Sequence, residues 1–228
     1  MKKLLESILE QEDIFKPPTE EELEQRRIEV FVNKYEGKLN PDGSYDFDRS
    51  FDRDSLSSVI KDGKFLIKFD RVEGDFYCSD NKLTSLEGAP KYVGGDFICS
   101  FNKLTSLEGA PKYVEGDFDC SDSGLTSLEG APKYVGGDFN CFGNNLTSLR
   151  GVPERVGSGF NCSFNKLISL KGAPKYVGGD FNCSFNNLTS LEGAPKYVGG
   201  NFVCFDNPVK FTIEDVRKVS EVEGEIFV

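Results

Sequence analysis

The sequence contains no histidine and no tryptophan, and none of its apolar runs is long. Without histidine it lacks the side chain that most often serves as general base and metal ligand near neutral pH. No stretch approaches the ~18 consecutive apolar residues of a membrane-spanning helix. A phosphate-cradling glycine loop, a nucleophile elbow and a Cys-x-x-Cys pair are also missing. No catalytic residue, cofactor or metal site is expected, and the chain reads as a non-enzyme. Hydrophobic residues make up only 38% of the 228, against 24 glycines, which suits a thin, elongated core with many turns better than a packed sphere. Basic residues are outnumbered, 27 to 38, giving a net charge of −11 spread along the chain. Such a surface argues against direct nucleic-acid binding, which relies on Lys and Arg neutralising phosphates.

What is abundant is repetition. Seven cysteines, Cys78, Cys99, Cys120, Cys141, Cys162, Cys183 and Cys204, are each 21 residues from the next, and a phenylalanine stands two residues before each. A strict period of this length is the signature of a solenoid. In D-F-x-C-S the residues alternate, so Phe and Cys point inward and the residues between them outward, as in a short strand with one buried face. An asparagine three residues after Cys (Asn81, Asn102, Asn144, Asn165, Asn186, Asn207) stands where the chain leaves the strand and can bond the backbone of neighbouring rungs. L-T-S-L then buries two leucines. The remainder, E-G-A-P-K-Y-V-G-G, is too rich in Pro and Gly for a helix and is expected to return as extended or polyproline-like chain. An odd number of equivalent cysteines does not make a disulfide framework, and small buried hydrophobes in a reducing compartment are expected instead.

The pattern F-x-C-x-x-N-x-L-x-x-L over residues 72–207 resembles the leucine-rich repeat family, with Phe and Cys where that family usually carries leucine. The resemblance implies a β-solenoid with a parallel sheet of seven strands on its concave side. The wording G-G-D-F-x-C-S-x-N-x-L-T-S-L-E-G-A-P, with the ending FTIEDVRKVSEVEGEIFV, is similar to repeat proteins encoded by T4-like tailed phages. That similarity implies a bacteriophage protein working in the bacterial host cytoplasm or on the virion. The opening MKKLLESILEQEDIF starts like a signal peptide, but Glu6 and Glu10 interrupt it and no small-residue cleavage site follows, so a cytoplasmic location is expected.

Four segments are expected. Residues 1–38 form a helical N-terminal segment: an apolar stripe of Leu4, Leu5, Ile8 and Leu9, then a helix opened by a capping box at Thr19 and Glu22, running to Tyr35 and stopped by Gly37. Its Ile28, Phe31, Val32 and Tyr35 would dock on the first rung. Residues 39–71 read as a degenerate first rung, with Tyr45, Phe47, Arg49, Phe51 and Arg53 on one face and Asp46, Asp48, Asp52 and Asp54 on the other. A calcium loop is not expected there, because Phe51 and Ser57 replace the required Gly and Glu. Residues 72–207 are the solenoid. Residues 208–228 cap it, with Thr212 opening a short helix and Ile226, Phe227 and Val228 tucking back onto the last rung.

Function is expected on the outward side of the sheet, in three columns. Before each Phe stand Asp75, Asp96, Asp117, Asp138, Gly159, Asp180 and Asn201. Between Phe and Cys stand Tyr77, Ile98, Asp119, Asn140, Asn161, Asn182 and Val203. After Cys stand serines, replaced by Phe142 and Phe205 in two rungs. A second edge carries tyrosines beside lysines, from Lys91-Tyr92 to Lys196-Tyr197. The expected role is to bind another protein through the sheet face or through this edge. The alternative is an acidic DNA mimic that occupies a DNA-binding host protein.

Overall fold

The computed structural model describes residues 17–228, a parallel β-solenoid of 21-residue rungs with short helices at both ends. The expected stripe at Leu4, Leu5, Ile8 and Leu9 lies outside the described residues. Each rung contributes two short strands to two different sheets. The Phe-x steps, from Phe76–Tyr77 to Phe202–Val203, pair in parallel and are joined by Ile226–Phe227, so the sheet has eight strands rather than seven. The return chain is extended, as its composition demands, and also hydrogen-bonds from rung to rung. Its Tyr-Val steps, from Tyr92–Val93 to Tyr197–Val198, belong to a second sheet of ten strands. Like sits on like: Phe118 is registered with Phe97 and Phe139, and Val135 with Val114 and Val156.

The core is a set of such columns. The Phe, Cys and Val columns of the sheets and the two Leu columns of L-T-S-L are almost fully buried. Successive core phenylalanines from Phe76 to Phe202 lie 5.1 to 5.9 Å apart between ring centroids. These are stacked or tilted contacts, worth about 0.5–1.5 kcal/mol each beyond the area they bury.

The N-terminal end is closed by helix α1, Glu20–Tyr35, opened by the Thr19/Glu22 capping box. Phe31 is buried against Phe47, Phe51 and Phe69, with Ile28, Val32 and Tyr35 packed beside it. The helix is closed by Glu36, which takes the left-handed conformation (φ 57°) that the sequence assigns to Gly37. Gly37 serves closeness instead, since a Cβ there would come within 2.6 Å of the Phe47 ring. The full alternation expected over residues 45–53 breaks after Phe47. Phe47 and Phe51 are buried and Phe51 bridges to Phe76, but Arg49 and Arg53 are exposed, and Asp52 caps helix α2, Arg53–Ser57. The helix opens here because Asp52 Oδ1 accepts the Ser55 N–H, which ends the extended run. At the other end Thr212 caps helix α3, Ile213–Arg217, in a capping box with Asp215.

The asparagine column holds consecutive rungs together. Asn144 Nδ2 donates to the carbonyls of Cys141 and Phe142 in its own rung and of Cys120 in the one before. Its Oδ1 accepts the N–H groups of Ser123 and Leu125 of that earlier rung. Asn102, Asn165, Asn186 and Asn207 repeat the bonds to carbonyls of both rungs. In the third rung Ser123 does part of the task, donating to the Cys99 and Ser121 carbonyls while accepting the Asn102 N–H. At the first rung, which has no cysteine rung before it, the buried Nδ2 of Asn81 has no partner among the described residues.

Replacing Asn144 by Ala strands several buried donors and acceptors at once, each costing about 1–3 kcal/mol. Asn144→Ala is therefore expected to lower the urea midpoint severely. Asn207→Ala, at a half-buried position, should lower it less.

Candidate functional site

The first two outward columns of the eight-stranded sheet are where the sequence puts them, partly exposed and one rung apart. The aspartate column is tied into the fold. Asp75 Oδ1 accepts the Asp96 N–H, Asp96 that of Asp117, Asp117 that of Asp138, and Asp138 that of Gly159. Asp180 does the same for Asn201, and the Asn201 carboxamide oxygen does it for Glu225. Four of the five carboxylates fit because a glycine of the next rung has no side chain: a Cβ on Gly137 would collide with Asp117 Oδ1. One oxygen of each group thus fixes the neighbouring turn. None of these five aspartates has a Lys or Arg within ion-pair distance among the described residues. The lysines that do pair lie elsewhere, such as Lys91 with Asp70, Lys171 with Glu192 at 3.0 Å and Lys175 with Glu154.

In the middle column Asp119, Asn140, Asn161 and Asn182 turn their oxygens back to accept the N–H two residues on, at Ser121, Phe142, Ser163 and Ser184. Tyr77 donates to Asp96 Oδ2 at 3.3 Å. Its hydroxyl is pushed up to about 12 by burial and then by the carboxylates of Asp75 and Asp96. Ile98 and Val203 complete the column as half-buried apolar residues. Gly159 interrupts the aspartate column and leaves a shallow depression of about 310 Å³, bordered by Asp138, Asn140, Asn161, Asp180, Asn182 and Val203.

The third column departs from expectation. Ser100, Ser121, Ser163 and Ser184 are buried rather than outward, because the chain already turns here, and Ser163 and Ser184 also donate to the side chains of Asn161 and Asn182. What projects instead is the next residue. Two positions after each cysteine stand Asp80, Phe101, Asp122, Gly143, Phe164, Phe185 and Asp206, and all seven have φ between 48° and 67°. Asp and Gly suit that left-handed turn, whereas a bulky side chain there costs roughly 1–2 kcal/mol. Yet Phe101, Phe164 and Phe185 occupy it and are 60%, 47% and 38% exposed. Phe142, Phe164, Phe185 and Phe205 form a continuous row, with centroids 5.0, 4.1 and 5.4 Å apart. Sequence reading found Phe142 and Phe205 and missed the phenylalanines at the turn. The signal was available: one column alternating Asp, Gly and Phe marks a positive-φ turn, where a side chain cannot be core.

On the opposite edge Tyr113 and Tyr134 are exposed, Tyr176 and Tyr197 stack at 4.8 Å, and the Arg155 guanidinium covers Tyr176. No group of three His, Cys, Asp or Glu side chains among the described residues is arranged to hold a metal ion. No described helix is long and apolar enough to cross a membrane. No family model matches the chain, and neither a curated protein nor a solved structure matches it.

All seven cysteines are free and buried. Burial pushes the thiols of Cys78, Cys99, Cys120, Cys141, Cys162 and Cys183 well above their ordinary range, and that of Cys204, at the end of the column, to about 11. Raised folded-state values mean that the unfolded chain loses its thiol protons first. Stability is then fully present below about pH 8.5 and declines above it, by up to about 1.4 kcal/mol per pH unit for each buried thiol. Denaturation midpoints measured from neutral to alkaline pH should show this fall. Cys141→Ala should make it shallower by about one proton.

Proposed function

We propose that the chain is a non-catalytic protein-binding module whose outer sheet face is the contact surface. One observation carries this reading. Between core positions that barely change from rung to rung, the middle outward column carries five residue types in seven rungs: Tyr77, Ile98, Asp119, then Asn140, Asn161 and Asn182, and Val203. The backbone spacing is fixed by the core, so the face is a rigid ruler carrying a varied set of side chains. Rigidity favours binding because little further order is lost on association. The resemblance to leucine-rich repeats and to repeat proteins of T4-like phages makes a protein of the bacterial host the expected partner, met in the host cytoplasm or on the virion.

The test is site-specific photocrosslinking in host lysate, with the crosslinker at Asn161 or Asn182 on the sheet face, or at Lys133 on the tyrosine edge. A discrete adduct with one defined protein from the sheet positions, absent from Lys133, is the expected result. An adduct from Lys133 alone would move the contact to the edge, and none from any position would remove the protein-binding reading. Suppression of the adduct when duplex DNA is present before irradiation at low salt, and its failure to form at high salt, would favour the DNA-mimic alternative.

A further inference from the structure

The phenylalanine row is hard to explain as structure. Within one repeat, left-handed turn positions are filled by Asp or Gly in four rungs, so the fold does not require an aromatic there. In two of those four rungs the residue before the turn supplies an aromatic instead. Gly143 is preceded by Phe142 and Asp206 by Phe205, and both rings join the row through Phe164 and Phe185. The row therefore runs unbroken over the last four cysteine rungs although the residues that make it change position. In the rung of Phe164 the recurring threonine of L-T-S-L is also replaced, by Ile168, which is 61% exposed.

Beside this row, in the same rungs and across the sheet, lies the depression left by Gly159, with Asp138 and Asp180 on its borders. Neither carboxylate has a cationic partner among the described residues, and each keeps one oxygen outside the backbone ladder. An exposed aromatic row, just past the strands, and an unneutralised acidic notch, on their face, thus share one short stretch of solenoid. A second copy of this chain, itself at −11, would bring like charge to that stretch, which disfavours self-association.

We propose that this stretch is a docking surface for a basic segment of a partner protein, with apolar side chains packing on Phe142, Phe164, Phe185 and Phe205 while a Lys or Arg enters the notch between Asp138 and Asp180. The inference rests on the protein-binding reading and adds to it the place of contact and the chemistry of the partner. Phenylalanines held out at a turn that favours Asp or Gly trade stability for contact, as functional residues do.

The probe is a fluorescent peptide of alternating lysine and leucine, titrated into the full chain and followed by anisotropy, with a lysine-serine peptide as control. Three variants are compared: Phe164→Asn/Phe185→Asn, Asp138→Asn/Asp180→Asn, and Glu108→Gln/Glu129→Gln, which removes the same charge elsewhere. Asn suits a left-handed turn, and Asn201 already fills the aspartate ladder, so the first two variants retain the fold. The expected result is binding weakened about tenfold or more by each of these two, unchanged by the third, and weak throughout for the lysine-serine peptide. Phe164→Asn/Phe185→Asn should also leave the thermal midpoint unchanged or raise it.

Equal weakening by all three variants would reduce the effect to diffuse charge and overturn the proposal. So would a midpoint lowered by the phenylalanine variant, which would make the row a structural strut. A dimer seen in sedimentation and lost in that variant would make the occupant a second copy, again overturning it. If a crosslinked host partner is retained by both site variants, this surface is wrong while the protein-binding reading stands. If no partner crosslinks, the reading falls and the peptide titration alone judges the surface.

Discussion

Everything in this molecule depends on one constraint: a residue must sit directly over its counterpart 21 positions away. Two sheets enforce it, since strand N–H groups bond carbonyls of the adjacent rung, forward in the Phe-x sheet and back in the Tyr-Val sheet. Once it holds, any side chain that packs well against a copy of itself is stabilised at every level of the stack. Phenylalanine rings stack, valines and leucines interlock, and cysteines fill small gaps. Asparagine is the polar solution to the same demand, because its amide has donors and an acceptor for two rungs at once. Aspartate achieves a simpler version at the surface, accepting one N–H from the rung above. The same stacking would punish a misplaced group repeatedly, which is why the variable residues are confined to positions that face water.

Much of the fold was legible because the period never slips. The exact spacing of the cysteines, the phenylalanine two residues earlier and the asparagine three residues later fixed the strand, the turn and the inward direction without any knowledge of tertiary structure. The second sheet was less visible. A segment with Pro, Lys, Tyr and paired glycines reads as irregular, and only the copy of itself on the next rung turns Tyr-Val into a strand. Local propensity cannot report a partner that is 21 residues away. The end pieces do not repeat, so single-sequence patterns had to stand alone there, and the alternation after Phe47 failed when Asp52 found a helix to cap.

The candidate surface was half legible for a related reason. Alternation locates side chains while the chain is extended and loses them at the first turn. It placed Asp75, Tyr77 and their counterparts correctly, then assigned the serines outward one residue after the strand had ended. The conspicuous Ser-Phe-Asn thereby looked like an exposed serine and an unassigned phenylalanine, when the serine is covered and the phenylalanine stands in water. A backbone dihedral, not a hydropathy pattern, decides which of the two is exposed.

The asparagine ladder also has a direction. From Asn102 on, each asparagine reaches back to the rung made before it, donating to that rung's cysteine carbonyl and receiving its leucine N–H. A chain emerging from the ribosome therefore delivers, with every new rung, the clamp that closes the previous one. The capped end built on Phe31 and Phe47 is synthesised first and offers a finished template. Assembly can advance like a zip from that end, each new rung satisfying the strand N–H groups left open on the one before.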